Sequence, residues 1–348
     1  LRFRFGNYYW REDLHFDLEH HFRHNGLPKP GRLRELLALI SAQHGNILAR
    51  ERPLWESHLI EGLRGRKFAF YHKVHHSVVD GIAAMRMSLR SYSTDDSTTD
   101  MPPIWAMKQE KRSNQPAAPG DLVQNLRLLV DEASKQISTV PALAREITAN
   151  IVKARKNPNN AHLFNAPQCI FNAKITGSRR FAAQSYSLPK IKALASKYNV
   201  TINDIVVAVC SSALRNYLNY IRELPDRPLI AMVPMSVRSD DSESGNQVAM
   251  ILANLATNID DPLQRLEVIR QSIEDSKTRF KQMSQEEAIN YSALTLAPSA
   301  LNMMTGLAPQ LQAFNVIISN VPGPDKTMYW NGAKLEGFYP VSIPVDRV

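Results

Sequence analysis

At 348 residues the chain has room for two domains of ordinary size, and a hydrophobic content of 44% excludes a disordered chain. Its two cysteines, Cys169 and Cys210, stand far apart and in no metal-ligand spacing, which argues against a disulfide framework and for a reducing compartment. No apolar run reaches the roughly 18 residues of a bilayer span. The formal net charge of +9 calls for anionic partners, whether nucleic acid, an acidic lipid surface or a phosphorylated ligand.

The first residues lack the apolar core of a signal peptide, and both ends read as cuts inside a longer protein. Residues 1–31 are rich in turn residues and histidine. A helix is predicted over 32–49 from Leu33, Leu36, Leu37, Ile40 and His44. An extended stretch over 55–60, a turn at 62–65 and a strand over 67–74 predict a hairpin. Asp80-Gly81 then leads into a helix over 82–89, with Asp80 placed as its N-cap. From 91 to about 120 the composition is that of a linker. Residues 121–156 form a long helical pattern that Pro141 interrupts.

A strand is predicted over 180–187, helices over 188–197 and 205–220, and buried strands over 229–237 and 248–258. A helix over 262–283 and a strand over 314–320 follow. Strands alternating with helices in two halves of similar size predict an α/β or α+β architecture. The division is expected at 1–105 for an N-terminal domain, 106–163 for a linker with an amphipathic helix, and 164–348 for a C-terminal domain.

The strand over 67–76 is the most informative piece. With period two, Phe68, Phe70, His72, Val74 and His76 share one face, and Ala69, Tyr71, Lys73 and His75 share the other. The first face is mainly apolar and is expected to point inward, which puts His76 at the inner end of a strand. A neutral imidazole there can take the proton of an alcohol as its oxygen attacks a thioester. The adduct then expels a thiol, so no covalent enzyme intermediate is required. Periodicity alone equally allows His75 and His76 to be hydrogen-bonded histidines at a strand end.

His75-His76-Ser77-Val78-Val79-Asp80-Gly81 resembles the His-His-x-x-x-Asp-Gly signature of the CoA-dependent acyltransferase superfamily, which includes chloramphenicol acetyltransferase and peptide-synthetase condensation domains. Further stretches resemble the bacterial wax ester synthase/acyl-CoA:diacylglycerol acyltransferase family. These are Pro53-Leu54-Trp55, Asn203-Asp204 within residues 201–208, and Ser319-Asn320-Val321-Pro322-Gly323-Pro324. Residues 233–238 followed by Gly245-Asn246-Gln247 add to the likeness, which covers nearly the whole chain.

The resemblance implies two chloramphenicol-acetyltransferase-like domains with the active site in a channel between them. It implies acyl-CoA as co-substrate without a permanently bound cofactor, and a long-chain alcohol or diacylglycerol as acceptor. His76 would be the base and Asp80 a brace for its loop. Gly81 would supply a turn conformation that a side chain hinders. Asn203 would contact the oxyanion or thioester, or act as a helix cap. Pro53, Leu54, Trp55, His75, Gly81 and Asp204 are the expected substrate-binding residues, with Trp55 bordering the acyl channel or simply filling a core.

Competing readings are a condensation-type transferase using carrier-bound donors, and a non-catalytic lipid-binding protein on the same fold. His15, His20, His21 and His24 are read as a solvated loop in preference to a metal site. Nucleic acid is disfavoured because no binding motif accompanies the charge. A serine hydrolase is disfavoured because Gly-x-Ser-x-Gly is absent. The basic residues Lys135, Arg145, Lys153, Arg155 and Lys156 suggest docking on an acidic membrane surface, or else a helix covering a domain junction. The expected location is cytoplasmic, peripheral on the inner face of the cell membrane or on lipid inclusions.

Overall fold

The computed structural model describes residues 2–4, 7–9, 13–75, 78–79, 81–107, 166–236, 248–283, 291, 312–321, 323–342 and 344. The chain divides into two compact units. One comprises Leu1–Arg112, Thr176–Ser185 and Gly323–Ser342; the other comprises Ser113–Ile175, Tyr186–Pro322 and Ile343–Val348. The long helical pattern over 121–156 lies outside the described residues, as does the Gly245-Asn246-Gln247 stretch.

In the first unit β1 (Arg2–Arg4) and β2 (Asn7–Tyr9) form a short antiparallel ladder. The short α1 (Leu18–His21) starts at Asp17, whose carboxylate accepts the Glu19 N–H, and runs directly into β3 (Phe22–Gly26). Helix α2 (Leu33–Gly45) begins where Glu35 accepts the backbone N–H of Arg32 at 2.7 Å. Strands β4 (Trp55–Leu63) and β5 (Lys67–Val74) form the expected hairpin, closed by Gly65 at φ +83°. The sheet order is β3-β4-β5, with β3 parallel and β5 antiparallel to β4. Gly31 is needed beneath this sheet: at φ +66°, a Cβ there would lie 1.9 Å from the Gly62 carbonyl oxygen.

The Phe68/His72 face is expected to point inward, and the structure covers the Tyr71 face as well. Leu36 and Ile40 of α2, one turn apart, pack on Ile60 and Tyr71, so the Tyr71 face carries the aliphatic core. Phe68 on the other face is 41% exposed. On that face Glu56 pairs with Lys73, whose amine also donates to the carbonyls at the end of α2.

Helix α3 (Gly81–Arg90) follows. The polar stretch beyond it is no free linker as far as residue 107. Ser93 bridges to Tyr329, Met101 donates its N–H to Asn331 Oδ1 at 2.8 Å, and Trp105 sits in a 3-10 turn, Ile104–Ala106. Tyr329–Trp330 and Ala333–Lys334 form a hairpin around Asn331-Gly332, both at positive φ, as such two-residue turns require.

The second unit opens with α4 (Leu188–Tyr198), which ends at Asn199 in the left-handed conformation, and α5 (Ile202–Tyr220). Strand β6 (Ile230–Ser236) lies between β7 (Val248–Asn254), antiparallel, and β8 (Val316–Ile317), parallel. The unbroken apolar run from Leu229 is split by strand alternation. Leu229, Ala231 and Val233 enter one core with Ile251, Ala253, Ile269, Ile273 and Phe280; Ile230 and Met232 enter a second with Leu252 and Phe314.

Helix α6 (Pro262–Lys281) starts at Asp261, which caps Leu263 and Gln264. It buries Leu266, Ile269, Ile273 and Phe280 at helical spacing. Asn315 is fully buried: its Oδ1 accepts the Ile230 N–H, and its Nδ2 donates to the Pro167 carbonyl and to Asn172 Oδ1.

The predicted strand over 180–187 is absent among the described residues. Phe181 donates its backbone N–H to Ser41 Oγ at 2.8 Å, and its side chain joins the core under α2, so the segment is anchored without a ladder. Strand pairing over 314–320 is confined to Val316–Ile317.

Candidate active site

Residues opposite one another in the β4–β5 hairpin bring two sequence motifs together. Trp55 faces Val74 and Ser57 faces His72. One step past the last strand residue, the His75 N–H donates to the Leu54 carbonyl at 2.9 Å, and the His75 carbonyl accepts the Val78 N–H at 2.9 Å. Pro53-Leu54-Trp55 therefore holds the start of the histidine motif through its backbone. Leu54 is buried, whereas His75 is exposed. His76 and Asp80 lie outside the described residues, and Gly81 is the first residue of α3.

An aromatic layer covers this face of the sheet. Trp55 stacks on Trp105 (5.6 Å between centroids) and on His21 (4.7 Å). Phe70 stacks on Trp105 and tilts against Trp330. Within this layer Ser57 Oγ and His72 Nδ1 are hydrogen-bonded at 2.7 Å. Burial lowers the His72 imidazole to about 4, so it is neutral at physiological pH.

The opposite face holds a polar network. Glu56 pairs with Lys73, and His58 Nε2 stands 3.7 Å from Glu56 Oε1 while its Nδ1 bonds Asn25 Oδ1 at 2.9 Å. Burial pushes the Glu56 carboxyl up, but His58 and Lys73 beside it outweigh that and hold it at about 2. Tyr71 is raised by burial and by the Glu56 charge. Its hydroxyl is bonded to His44 Nδ1 at 2.9 Å.

In the second unit Thr201, not Asn203, is the N-cap of α5. Asp204 Oδ2 accepts the Thr201 N–H at 2.9 Å and its hydroxyl at 2.7 Å, and Thr201 Oγ1 accepts the Asp204 N–H. This is a capping box, with Asp204 3% exposed and its carboxylate turned back on the helix start. Asn203 occupies the first turn, half-buried.

Comparison with known proteins decides the family. Residues 1–206 match the wax ester synthase/diacylglycerol acyltransferase catalytic domain, and residues 244–348 match the C-terminal domain of the same family. The chain is 48% identical over 341 residues to the O-acyltransferase WSD of Acinetobacter baylyi, covering 97% of this chain and 73% of that one.

This chain belongs to the wax ester synthase/diacylglycerol acyltransferase family.

As a family member it is an acyltransferase. It is also 41% identical over 337 residues to a Mycobacterium tuberculosis protein named "Probable diacyglycerol O-acyltransferase tgs2", covering 96% of this chain and 72% of that one. The solved wax ester synthase/diacylglycerol acyltransferase of Marinobacter aquaeolei VT8 superposes with a TM-score of 0.73 at 46% identity, covering 99% of this chain and 73% of that one. The expected mixed α/β fold is thus the fold of this acyltransferase family.

The histidines near the start need a correction. His20 lies in α1 and His24 in β3, so their spacing of four places them on no common helix face. His24 pairs with Glu61 at 2.7 Å. His21 is no part of a solvated loop: it is 2% exposed, within the aromatic layer. Among the described residues no group of three His, Cys, Asp or Glu side chains could hold a metal.

Sequence reasoning singled out neither His21 nor Trp105 as part of this site. A tryptophan after Pro102-Pro103 in an otherwise polar stretch is the signal that would have found the second. The Ser57–His72 pair shows in sequence only once the hairpin register is fixed.

Proposed function

We propose that this acyltransferase moves a fatty acyl group from acyl-CoA to the hydroxyl of a long-chain alcohol or a diacylglycerol, with His76 as general base. The observation that carries the reading is the backbone bond from His75 to Leu54, which joins the histidine motif to the Pro53-Leu54-Trp55 motif of the same family. Neutral His76 takes the hydroxyl proton as the alkoxide attacks the thioester carbon. The tetrahedral adduct then collapses, expelling the CoA thiolate, which receives the proton. Asn203 donates to the oxyanion in this scheme, and Asp204 holds the helix start that carries it. Asp80 braces the loop before Gly81. Pro53, Leu54 and Trp55 support His75 and border the acyl chain.

Thiol release from palmitoyl-CoA, with hexadecanol or diacylglycerol as acceptor, tests this. His76→Ala should lose on the order of 10²–10⁴ in rate. His75→Ala should lose less. An active His76→Ala beside a dead His75→Ala would refute the assignment. A condensation-type reaction would instead require a carrier-bound donor and leave palmitoyl-CoA unused.

No helix among the described residues is long and apolar enough to cross a membrane. The acceptor nevertheless partitions into lipid, and the net charge of +9 favours reversible docking on anionic leaflets or lipid inclusions. Vesicle co-sedimentation should rise with phosphatidylglycerol content and fall as salt rises from roughly 50 to 500 mM. Charge reversal at Lys153, Arg155 and Lys156 should weaken it. Binding indifferent to lipid charge and salt would sink this part of the reading.

A further inference from the structure

His21 belongs to no motif of the family resemblance, yet it is built into the support of the histidine loop. Its ring lies within stacking distance of two aromatic rings, Phe16 at 5.2 Å and Trp55 at 4.7 Å between centroids. Its Nδ1 lies 2.7 Å from the Trp55 carbonyl oxygen. A carbonyl only accepts, so Nδ1 carries the proton and the tautomer is set. The side chain is 2% exposed, and its Nε2 has no hydrogen-bond partner among the described residues. A buried acceptor without a partner is costly. A phenylalanine would fill the same stack without that cost, so packing alone does not account for an imidazole here.

What the imidazole adds over a phenyl ring is the bond to Trp55. From that carbonyl the support runs one residue back to the Leu54 carbonyl, which accepts the His75 N–H at 2.9 Å. We propose that His21 is a positioning residue for the acyl transfer, fixing the backbone of Pro53-Leu54-Trp55 and through it the start of the loop that carries the base. The proposal rests on the reading of His76 as that base. It assigns His21 no contact with either substrate.

Two substitutions separate the ring from the bond. His21→Phe keeps the stack, removes the donor to Trp55 and also removes the unpartnered Nε2. His21→Asn gives up the ring but can place an amide N–H where Nδ1 stood. Steady-state thiol release with palmitoyl-CoA and hexadecanol, and the thermal unfolding midpoint, are measured for both variants in the full chain.

The expected result for His21→Phe is a loss of roughly 10- to 100-fold in kcat, the scale on which small misplacements act. The KM for each substrate should stay within about threefold and the midpoint close to the parent's, because transition-state alignment, not binding, is disturbed. His21→Asn should recover most of that kcat in spite of a lower midpoint. Unchanged kcat in His21→Phe overturns the proposal. So does a loss confined to the KM for one substrate, which would mean direct contact, and so does activity that follows the midpoint in both variants. His76→Ala is run alongside. If it is inactive while His21→Phe is normal, only the positioning role fails; if it is active, the base assignment fails and this proposal with it.

Discussion

Removing the Lys73 amine tests how the strand that leads into the histidine motif is held. Lys73 and Glu56 are direct cross-strand neighbours, with side chains 11% and 12% exposed. The same amine donates to the Gln43 and Asn46 carbonyls at 2.9 and 3.0 Å, where α2 ends. Lys73→Met therefore leaves a buried carboxylate without its ammonium partner and takes a donor from two carbonyls at the end of α2. Breaking a buried pair from one side costs about 3–5 kcal/mol.

The depressed Glu56 carboxyl reflects the same pair. Glu56 lies at about 2 against an ordinary 4.5, held there by His58 and Lys73 together, a gap worth at most about 3 kcal/mol and less once solvent screening is counted. Because the folded-state value is depressed, this stability is present above pH 4.5 and is lost as pH falls towards 2. Urea unfolding at pH 7 should show Lys73→Met destabilised by about 3–5 kcal/mol with an unchanged m-value, and its stability between pH 4.5 and 2 should fall less than the parent's. Glu56→Gln added to Lys73→Met should restore at least ~1 kcal/mol, since no lone charge remains. A Lys73→Met protein within about 1 kcal/mol of the parent, or one with the parent's full acid loss, would refute the reasoning.

Other expectations follow from the same geometry. His72, held neutral at about 4 by burial, contributes stability present above pH 6.5 and lost as pH falls through 4; His72→Gln should flatten that window in unfolding measurements. Asn315→Ala orphans the Ile230 N–H and the Pro167 carbonyl and leaves Asn172 Oδ1 with the Cys169 thiol, and should cost about 2 kcal/mol in chemical denaturation, at roughly 1 kcal/mol for each orphaned group. Asp204→Ala should lower stability by about 1–2 kcal/mol through loss of the capping box, with Asp204→Asn losing less, as read by the thermal midpoint. Gly31→Ala should destabilise strongly or prevent soluble expression, because the new Cβ would meet the Gly62 carbonyl at 1.9 Å and no flexible side chain is there to yield.

Local chemistry was legible wherever the sequence carried its own signal. Helix α2 follows from apolar residues at helical spacing, and the β4–β5 hairpin from two extended runs around a Gly-containing turn. The histidine motif, Pro53-Leu54-Trp55 and Asn203-Asp204 pointed to the family because their residue types and order are specific. Tertiary structure decided what periodicity leaves open. Alternation in β5 defines two faces but does not say which one a helix will cover, and α2 chose the Tyr71 face, where Glu56 and Lys73 neutralise each other.

The first turn of α5 shows the same division. Several polar residues there are able to cap, and only the backbone geometry made Thr201 the cap and Asp204 its partner. His21 was the least legible of all. Its burial depends on Trp55, 34 residues away, and no spacing along the chain encodes a stack of a helix-end histidine, a strand tryptophan and a second, distant tryptophan. A sequence records which groups can bond; which of them meet depends on how distant segments exclude water from one another, and that is settled only when they pack.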